Sequence, residues 1–287
     1  ELTLNRRSPI RKPSSYAYPS NASTTTTPFC TAFFVGVLPL FLLSPIVAGS
    51  LVLAFLVLVR RGGLRLGGSG RLVAVAGLVL YIFGFSLAYV RLDAGLGALI
   101  LFGTVQITMF AGSLIGGERP PTQRWSGATM AFAGLCWLLW PREAIEISLS
   151  HALAMVVAGL GWGIYSLAGR VARDPLAATA ANFLLAAPVG LFLALAVPAV
   201  GDVDITWSGV ALAVVSGGFT SGLGYALWYH VLPQLPGTTA AVAQLSVPVL
   251  AMVGGVVVLA EALSASVALA GVVVLGGVAL SVLGGKR

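Results

Sequence analysis

Long apolar runs separated by short polar connections dominate the chain after Phe29. Eight of them, at residues 72–90, 94–116, 125–140, 151–169, 176–198, 207–228, 238–260 and 263–283, come close to the roughly 20 residues with which a helix crosses a bilayer core of about 30 Å. Several are apolar on every face, as in helices that meet lipid on one side and other helices on the other. A transmembrane β-barrel is excluded, because its strands are alternating segments of roughly 10 residues. The preceding run, Phe29 to Val59, has 31 residues without a charge and is interrupted by Pro39 and by Ser44-Pro45. It is long for one untilted span and short for two. Residues 1–28, with four basic residues and a Ser23 to Thr27 run, read as a polar disordered tail.

Composition assigns these runs to a class. Of 287 residues, 58% are hydrophobic and 9% charged, with a mean hydropathy of +0.98; a soluble domain carries about 25% charged residues. The expectation is an all-α, polytopic membrane bundle of 9–10 transmembrane helices. A water-soluble enzyme, a nucleic-acid binder and a disulfide scaffold are excluded. The net charge of +7 does not imply a nucleic-acid partner, because the basic residues sit in short loops, where they set orientation. Cys30 and Cys136 lie in or beside apolar runs and read as two buried thiols, with no cofactor or metal expected.

The loops divide by charge. Taking every second connection, one side holds Arg60, Arg61, Arg65 and Arg71, then Arg119 and Arg124, then Arg170 and Arg173, then Lys286 and Arg287. The other holds Arg91 and Arg142 among six acids: Asp93, Glu143, Glu146, Asp202, Asp204 and Glu261. This bias predicts a cell-membrane protein with the basic side and the C-terminus in the cytoplasm. A single span over Phe29 to Val59 would leave the basic tail outside, against the same rule. The chain opens on Glu1 rather than Met, so a fragment or a misassigned start is also expected.

Glu118 and Glu261 each end a long apolar run and lie 143 residues apart, half the chain. At the same offset Gly134 falls on Gly277. Because the two glutamates lie on opposite sides of the charge map, the halves are expected to be inverted, with five spans each. Inverted repeats are a recurrent transporter architecture with the substrate path at the repeat interface. The expected organisation is a tail over 1–28 and repeats over 29–141 and 148–285.

The order and spacing of several segments resemble the drug/metabolite transporter superfamily, specifically the EamA-type ten-helix transporters, over residues 44–285. The segments are SPIVAGSLVLAFLVLVRR from Ser44, GERPPTQRWSGA from Gly117, GWGIYSLAGR from Gly161, DPLAATA from Asp174, GYALWYHVL from Gly224 and VPVLAMVGGVVVLAE from Val247. The resemblance implies two inverted five-helix repeats, cytoplasmic termini, and a central cavity through which small metabolites move, usually outward. Nothing before Ser44 matches, so the first helix is expected to be truncated or a remnant. A frequent family proline is also replaced: Val105 stands where Pro248 stands in the second half.

Candidate cavity residues are polar and aromatic groups inside spans. Gln106, Asn182 and Gln244 carry amides that hydrocarbon cannot satisfy; Ser166 and Ser246 join them, while Thr104 and Thr108 read as bonded to their own helix backbone. Tyr81, Phe85 and Tyr89 share a helix face, as do Trp162, Tyr165 and Ser166; Tyr225, Trp228 and Tyr229 form a third cluster. Trp228 and Tyr229 read as core or interfacial belt, like Trp137 and Trp140, whereas the family resemblance directs Tyr81, Trp162, Tyr165 and Tyr225 to the cavity wall. Glu118 and Glu261 read as capping and packing groups, with coupling carboxylates as the alternative, and Pro248 as structural. His151 and His230 read as interfacial. No acid lies at mid-span, which leaves a carboxylate proton relay unsupported.

The leading expectation is a transporter of a small organic solute, amino-acid-like or drug-like, working outward by alternating access, with the bilayer and candidate self-association as its other partners. The alternatives are a membrane-embedded enzyme on lipid-linked substrates, for which the sequence offers no reactive cluster, and a nonfunctional truncated fragment.

Overall fold

A computed structural model describes residues 38–63, 66–141, 147–196, 214–259 and 264–283, together with Trp207 and Ala211. The helices are α1 (Leu38–Arg61), α2 (Arg71–Ala88), α3 (Ala94–Ile115), α4 (Thr122–Leu139), α5 (Leu149–Arg170) and α6 (Pro175–Ala196), followed by a π-helical segment (Ser216–Leu223) running into α7 (Gly224–Val231). A 3-10 turn (Leu232–Gln234) then leads to α8 (Gly237–Gln244), α9 (Ser246–Leu259) and α10 (Ala265–Leu283). No strand occurs among the described residues. Six stretches among them are long and apolar enough to cross a membrane: Arg71–Ala88, Ala94–Ile115, Leu149–Arg170, Pro175–Phe192, Gly237–Val257 and Ala265–Leu283. The protein is a polytopic helical membrane bundle.

The described part of the ambiguous first run is a single helix. Leu38–Arg61 has 24 residues, about 36 Å at 1.5 Å per residue, enough to cross with tilt. It ends on Arg60 and Arg61, whose charges suit the negative end of the helix dipole. Phe29 to Val37, the tail before it and Cys30 lie outside the described residues.

Helix bounds repeat along the chain. α3 opens at Ala94 and α8 at Gly237, and α4 opens at Thr122 and α10 at Ala265, so both pairs show the 143-residue separation of Glu118 and Glu261. The second copy differs in one respect. α3 runs unbroken for 22 residues, while its counterpart breaks at Leu245 into α8 and α9. Pro248 accounts for the break: it lacks an N–H, and its ring clashes with the carbonyl four residues earlier, that of Gln244.

The closest helix partners are α2 with α5, α4 with α10, α1 with α6, and α3 with α5. Two of these seams rest on backbone approach. A Cβ on Gly161 would come within 2.6 Å of the Gly77 carbonyl oxygen, and one on Gly127 within 2.6 Å of the Gly277 carbonyl oxygen. Small residues replace the hydrophobic effect as the basis of helix association in lipid. The repeat offset maps Gly127 onto Ala270 and Gly277 onto Gly134, both buried on the same two helices, so this seam is read twice. Gly159 and Gly163 of α5 receive Thr104 and Thr108 of α3. Those hydroxyls donate to Ile100 and Thr104 carbonyls at 2.8 and 2.7 Å, as expected for threonines that satisfy their own helix.

Charges placed on one side by the loop count do meet at one end of the bundle. Arg61 pairs with Asp174 at 3.2 Å, and Glu118 lies 3.4 Å from Arg124 and 4.0 Å from Arg170.

Candidate functional site

A ladder of aromatic rings climbs through the bundle. It starts at Tyr89, the residue just after α2, and passes to Phe85 (ring centroids 4.7 Å apart) and Tyr81 (5.7 Å). From Tyr81 it crosses to Trp162 of α5 (4.8 Å), then to Tyr225 of α7 (5.4 Å, edge-on). It ends at Tyr229, 5.0 Å from Tyr165 and 6.3 Å from Tyr225. Rings at these separations attract through their quadrupoles as well as through buried area. The helix spacing of four residues produces the first three rungs; the remaining rungs exist because α2, α5 and α7 pack together.

Exposure falls along this ladder. Tyr89, Phe85, Tyr81, Trp162 and Tyr225 are half-buried, whereas Tyr165 and Tyr229 are at 0% and 1% exposure. The Tyr229 hydroxyl donates to the Tyr165 carbonyl at 3.2 Å, and its ring occupies the space over Gly169 that any side chain would fill. The ladder thus runs from rings of intermediate exposure to two buried rings at the end where Arg71 lies.

The helix break caused by Pro248 serves the same ladder. Gln244, at the end of α8, accepts a hydrogen bond from the Trp162 indole N–H. Its amide N–H donates to the Met109 sulfur at 3.1 Å and to the Ala240 carbonyl at 3.3 Å. One buried amide thus ties α3, α5 and α8 together at the ring ladder. The π-helical segment before α7 lies directly ahead of Tyr225, and such segments recur at functional positions in helices.

A second set of polar groups lies between α2, α5 and α6. Arg71, the first residue of α2, turns inward. Its Nη1 donates to the Ala178 carbonyl at 2.7 Å and to Asn182 Oδ1 at 2.8 Å, while Nε and Nη2 donate more loosely to Leu66 and Gly67 carbonyls at 3.2 and 3.3 Å. Thr179, Asn182 and Tyr229 stand within reach of the Tyr165 hydroxyl, and Ser166 within reach of Tyr229, but no hydrogen bond of good geometry closes on the Tyr165 hydroxyl, Thr179 Oγ1 or Ser166 Oγ. All three residues are fully buried.

The basic end is closed by a clasp. Glu118, from the connection after α3, accepts from the backbone N–H groups of Gly237 at 2.9 Å and Thr238 at 3.4 Å, and from the Thr238 hydroxyl. Arg124 of α4 donates from one Nη1 to Glu118 and to Thr238 Oγ1 at 3.2 Å. Arg170, ending α5, donates to the Leu235 carbonyl at 3.1 Å. The carboxylate thus sits against two guanidiniums and the N-terminus of α8, where backbone N–H groups and the helix dipole favour negative charge.

The structure brings together Tyr81, Phe85, Trp162, Tyr165, Tyr225 and Gln244 on the ladder, with Ser166 and Asn182 at its buried end. Gln106 has a buried Oε1 with no partner among the described residues, and no ring contact joins it to the ladder. Ser246 donates to the Ala243 carbonyl at 2.7 Å, within its own turn. Glu261 lies outside the described residues. Sequence reasoning missed Arg71, read as a loop charge, and Phe183, whose ring meets Tyr225 at 4.9 Å; Tyr229, read as core or interfacial belt, is core and joins the ladder. The four-residue step from Tyr225 to Tyr229 was an available signal. Arg71 had none, since the partners that draw it inward, Ala178 and Asn182, lie more than 100 residues away.

Residues 149–283 match the EamA-like transporter family. An uncharacterized protein of Pseudomonas aeruginosa is 44% identical over 240 residues, covering 81% of this chain and 80% of that protein. The threonine/homoserine exporter RhtA of Salmonella typhimurium is 30% identical over 209 residues, 70% of this chain and 63% of the exporter. A solved crystal structure superposes with a TM-score of 0.75 at 25% identity, over 90% of this chain and 93% of that one.

Proposed function

The chain belongs to the EamA-like transporter family, and from that premise we propose that it exports a small, amino-acid-like organic solute across the cell membrane by alternating access. It is a transporter and not an enzyme, which sets aside the reading as a membrane enzyme on lipid-linked substrates. The observation that carries the proposal is the aromatic ladder, whose rings are partly exposed from Tyr89 to Tyr225 and buried at Tyr165 and Tyr229. Read as a substrate path between two rocking units, a ladder buried at one end is what one state of an alternating-access cycle presents.

The two rocking units are residues 29–141 and 148–285, with the C-terminus cytoplasmic. On this reading the Glu118 clasp is the inner gate. It joins Glu118 and Arg124 of the first unit to Arg170, Gly237 and Thr238 of the second, and it opens when the units rock. The ladder carries aromatic faces and amide groups and no carboxylate, which suits neutral or zwitterionic solutes. The relative RhtA, by its name a threonine/homoserine exporter, supports transport in general and suggests the amino acids with which outward movement is tested.

The test is reconstitution of the full chain into liposomes loaded with radiolabelled L-threonine or homoserine. Saturable efflux that falls about tenfold or more in Trp162→Ala or Tyr225→Ala is expected, the scale of a lost aromatic contact plus its buried area. Folded protein that moves no amino acid and no other small solute would overturn the proposal.

A further inference from the structure

The buried end of the ladder contains more hydrogen-bonding capacity than its own contacts use. Tyr165, Ser166 and Thr179 are fully buried within spans, and each keeps a hydroxyl without a hydrogen bond of good geometry. A buried hydroxyl without a well-formed hydrogen bond is costly in an apolar environment, so hydroxyls clustered in this way require an explanation. Beside them Arg71 folds inward from the end of α2. Of the arginines with ion pairs or hydrogen bonds in the bundle, Arg61, Arg124 and Arg170 face a carboxylate; Arg71 instead holds neutral oxygens of Ala178 and Asn182.

The nearest acid along α6, Asp174, is engaged elsewhere: it pairs with Arg61 and accepts from the Ala177 N–H at 3.2 Å. With Oδ1 of Asn182 taken by Arg71, that amide offers only its NH2 to a further partner. The site therefore combines one guanidinium, the Tyr165 and Thr179 hydroxyls and an amide NH2, with no competing negative charge among the described residues. A cation is disfavoured by Arg71. A carboxylate matches the set, since it accepts up to four hydrogen bonds and pairs with guanidinium in two-point geometry.

We propose that Arg71, Asn182, Tyr165 and Thr179 form a carboxylate subsite at this buried end, which holds the acid group of a zwitterionic solute while its amine and side chain lie along the ring ladder. The proposal rests on the transport reading above and adds the group that decides between amino acids and simple amines. The guanidinium would exchange its loose bonds to Leu66 and Gly67 for the carboxylate and keep Asn182 as its anchor.

The experiment uses the full chain in liposomes with two probes, L-threonine and 1-amino-2-propanol, which is threonine without its carboxylate. Binding of each is also followed by Trp fluorescence. The wild type is expected to prefer threonine, and Arg71→Gln to lose roughly tenfold to hundredfold of threonine uptake and binding, the worth of a charge-assisted hydrogen bond, while the amine changes less than about twofold. Arg71→Lys should retain part of the preference, having the charge without the two-point geometry. Tyr165→Phe and Thr179→Val, which remove one hydroxyl each and keep the packing, should lower threonine binding by several-fold and spare the amine. Equal losses for both probes in Arg71→Gln, or none in any variant, would overturn the subsite and leave the transport reading standing. A folded wild type that binds and moves neither probe would overturn both.

Discussion

Two helix starts occupy equivalent places in the repeat and are capped in opposite ways. At Ala94 the residue before the helix is Asp93, which accepts from the Gly95 and Leu96 N–H groups at 2.9 and 3.1 Å. At Gly237 the preceding residue is Pro236, which offers no side-chain cap, and the carboxylate comes instead from Glu118, 119 residues away in sequence. One start is completed by its neighbour and would be capped in isolation. The other is completed only when the two halves of the chain meet. The same orphan N–H groups have thus become a local stop signal in one copy and a contact between units in the other.

The largest way to break this contrast is Glu118→Ala. It strands Arg124, whose side chain is 9% exposed, and removing one partner of a buried pair costs about 3–5 kcal/mol. The melting temperature in detergent should fall, and a Ser166→Cys reporter, in a chain with Cys30 and Cys136 replaced by Ser, should begin to react with an impermeant thiol reagent from the basic side. An unreactive Ser166→Cys in the clasp variant would mean that Glu118 is not a gate.

Pro248→Val copies Val105 of the first half into the second. The break at Leu245 should heal, withdrawing Gln244 from Trp162; the expected outcome is a shift in Trp fluorescence and a several-fold loss of flux without loss of the fold. Asp93→Ala should cost only about 1 kcal/mol, the usual worth of an N-cap, with transport nearly unchanged. If it costs as much as Glu118→Ala, the distinction between local and borrowed caps fails. The smallest effect is Pro236→Asp. In the Glu118→Ala background it should restore about 0.5–1 kcal/mol as a new local cap. In the wild type it should be neutral or harmful, because it sets a second carboxylate beside Glu118.

Most of the scaffold could be read from hydrophobicity. Spans near 94–116 and 263–283 fall within two residues of α3 and α10, because in lipid the backbone must satisfy itself and an apolar run has no alternative to a helix. The span at 207–228 was less exact: its described part is a π-helical segment and α7, ending at Val231. The site was legible only where one helix carries it. Tyr81 and Phe85, or Trp162 and Tyr165, are joined by helical spacing, whereas Arg71 to Asn182 and Trp162 to Gln244 are joined by packing alone.

By itself, the sequence determined the membrane environment, the placement of most described helices and the 143-residue offset at which two pairs of helix starts recur. These depend on solvent transfer and local periodicity, which each segment expresses independently of the others. The tertiary structure alone decided that Glu118 caps a helix of the other half, that Tyr229 is buried rather than interfacial, and that Arg71 turns inward to Asn182. Each of these is a contact between segments, set by which glycine seams let which helices approach, and no single segment contains that information.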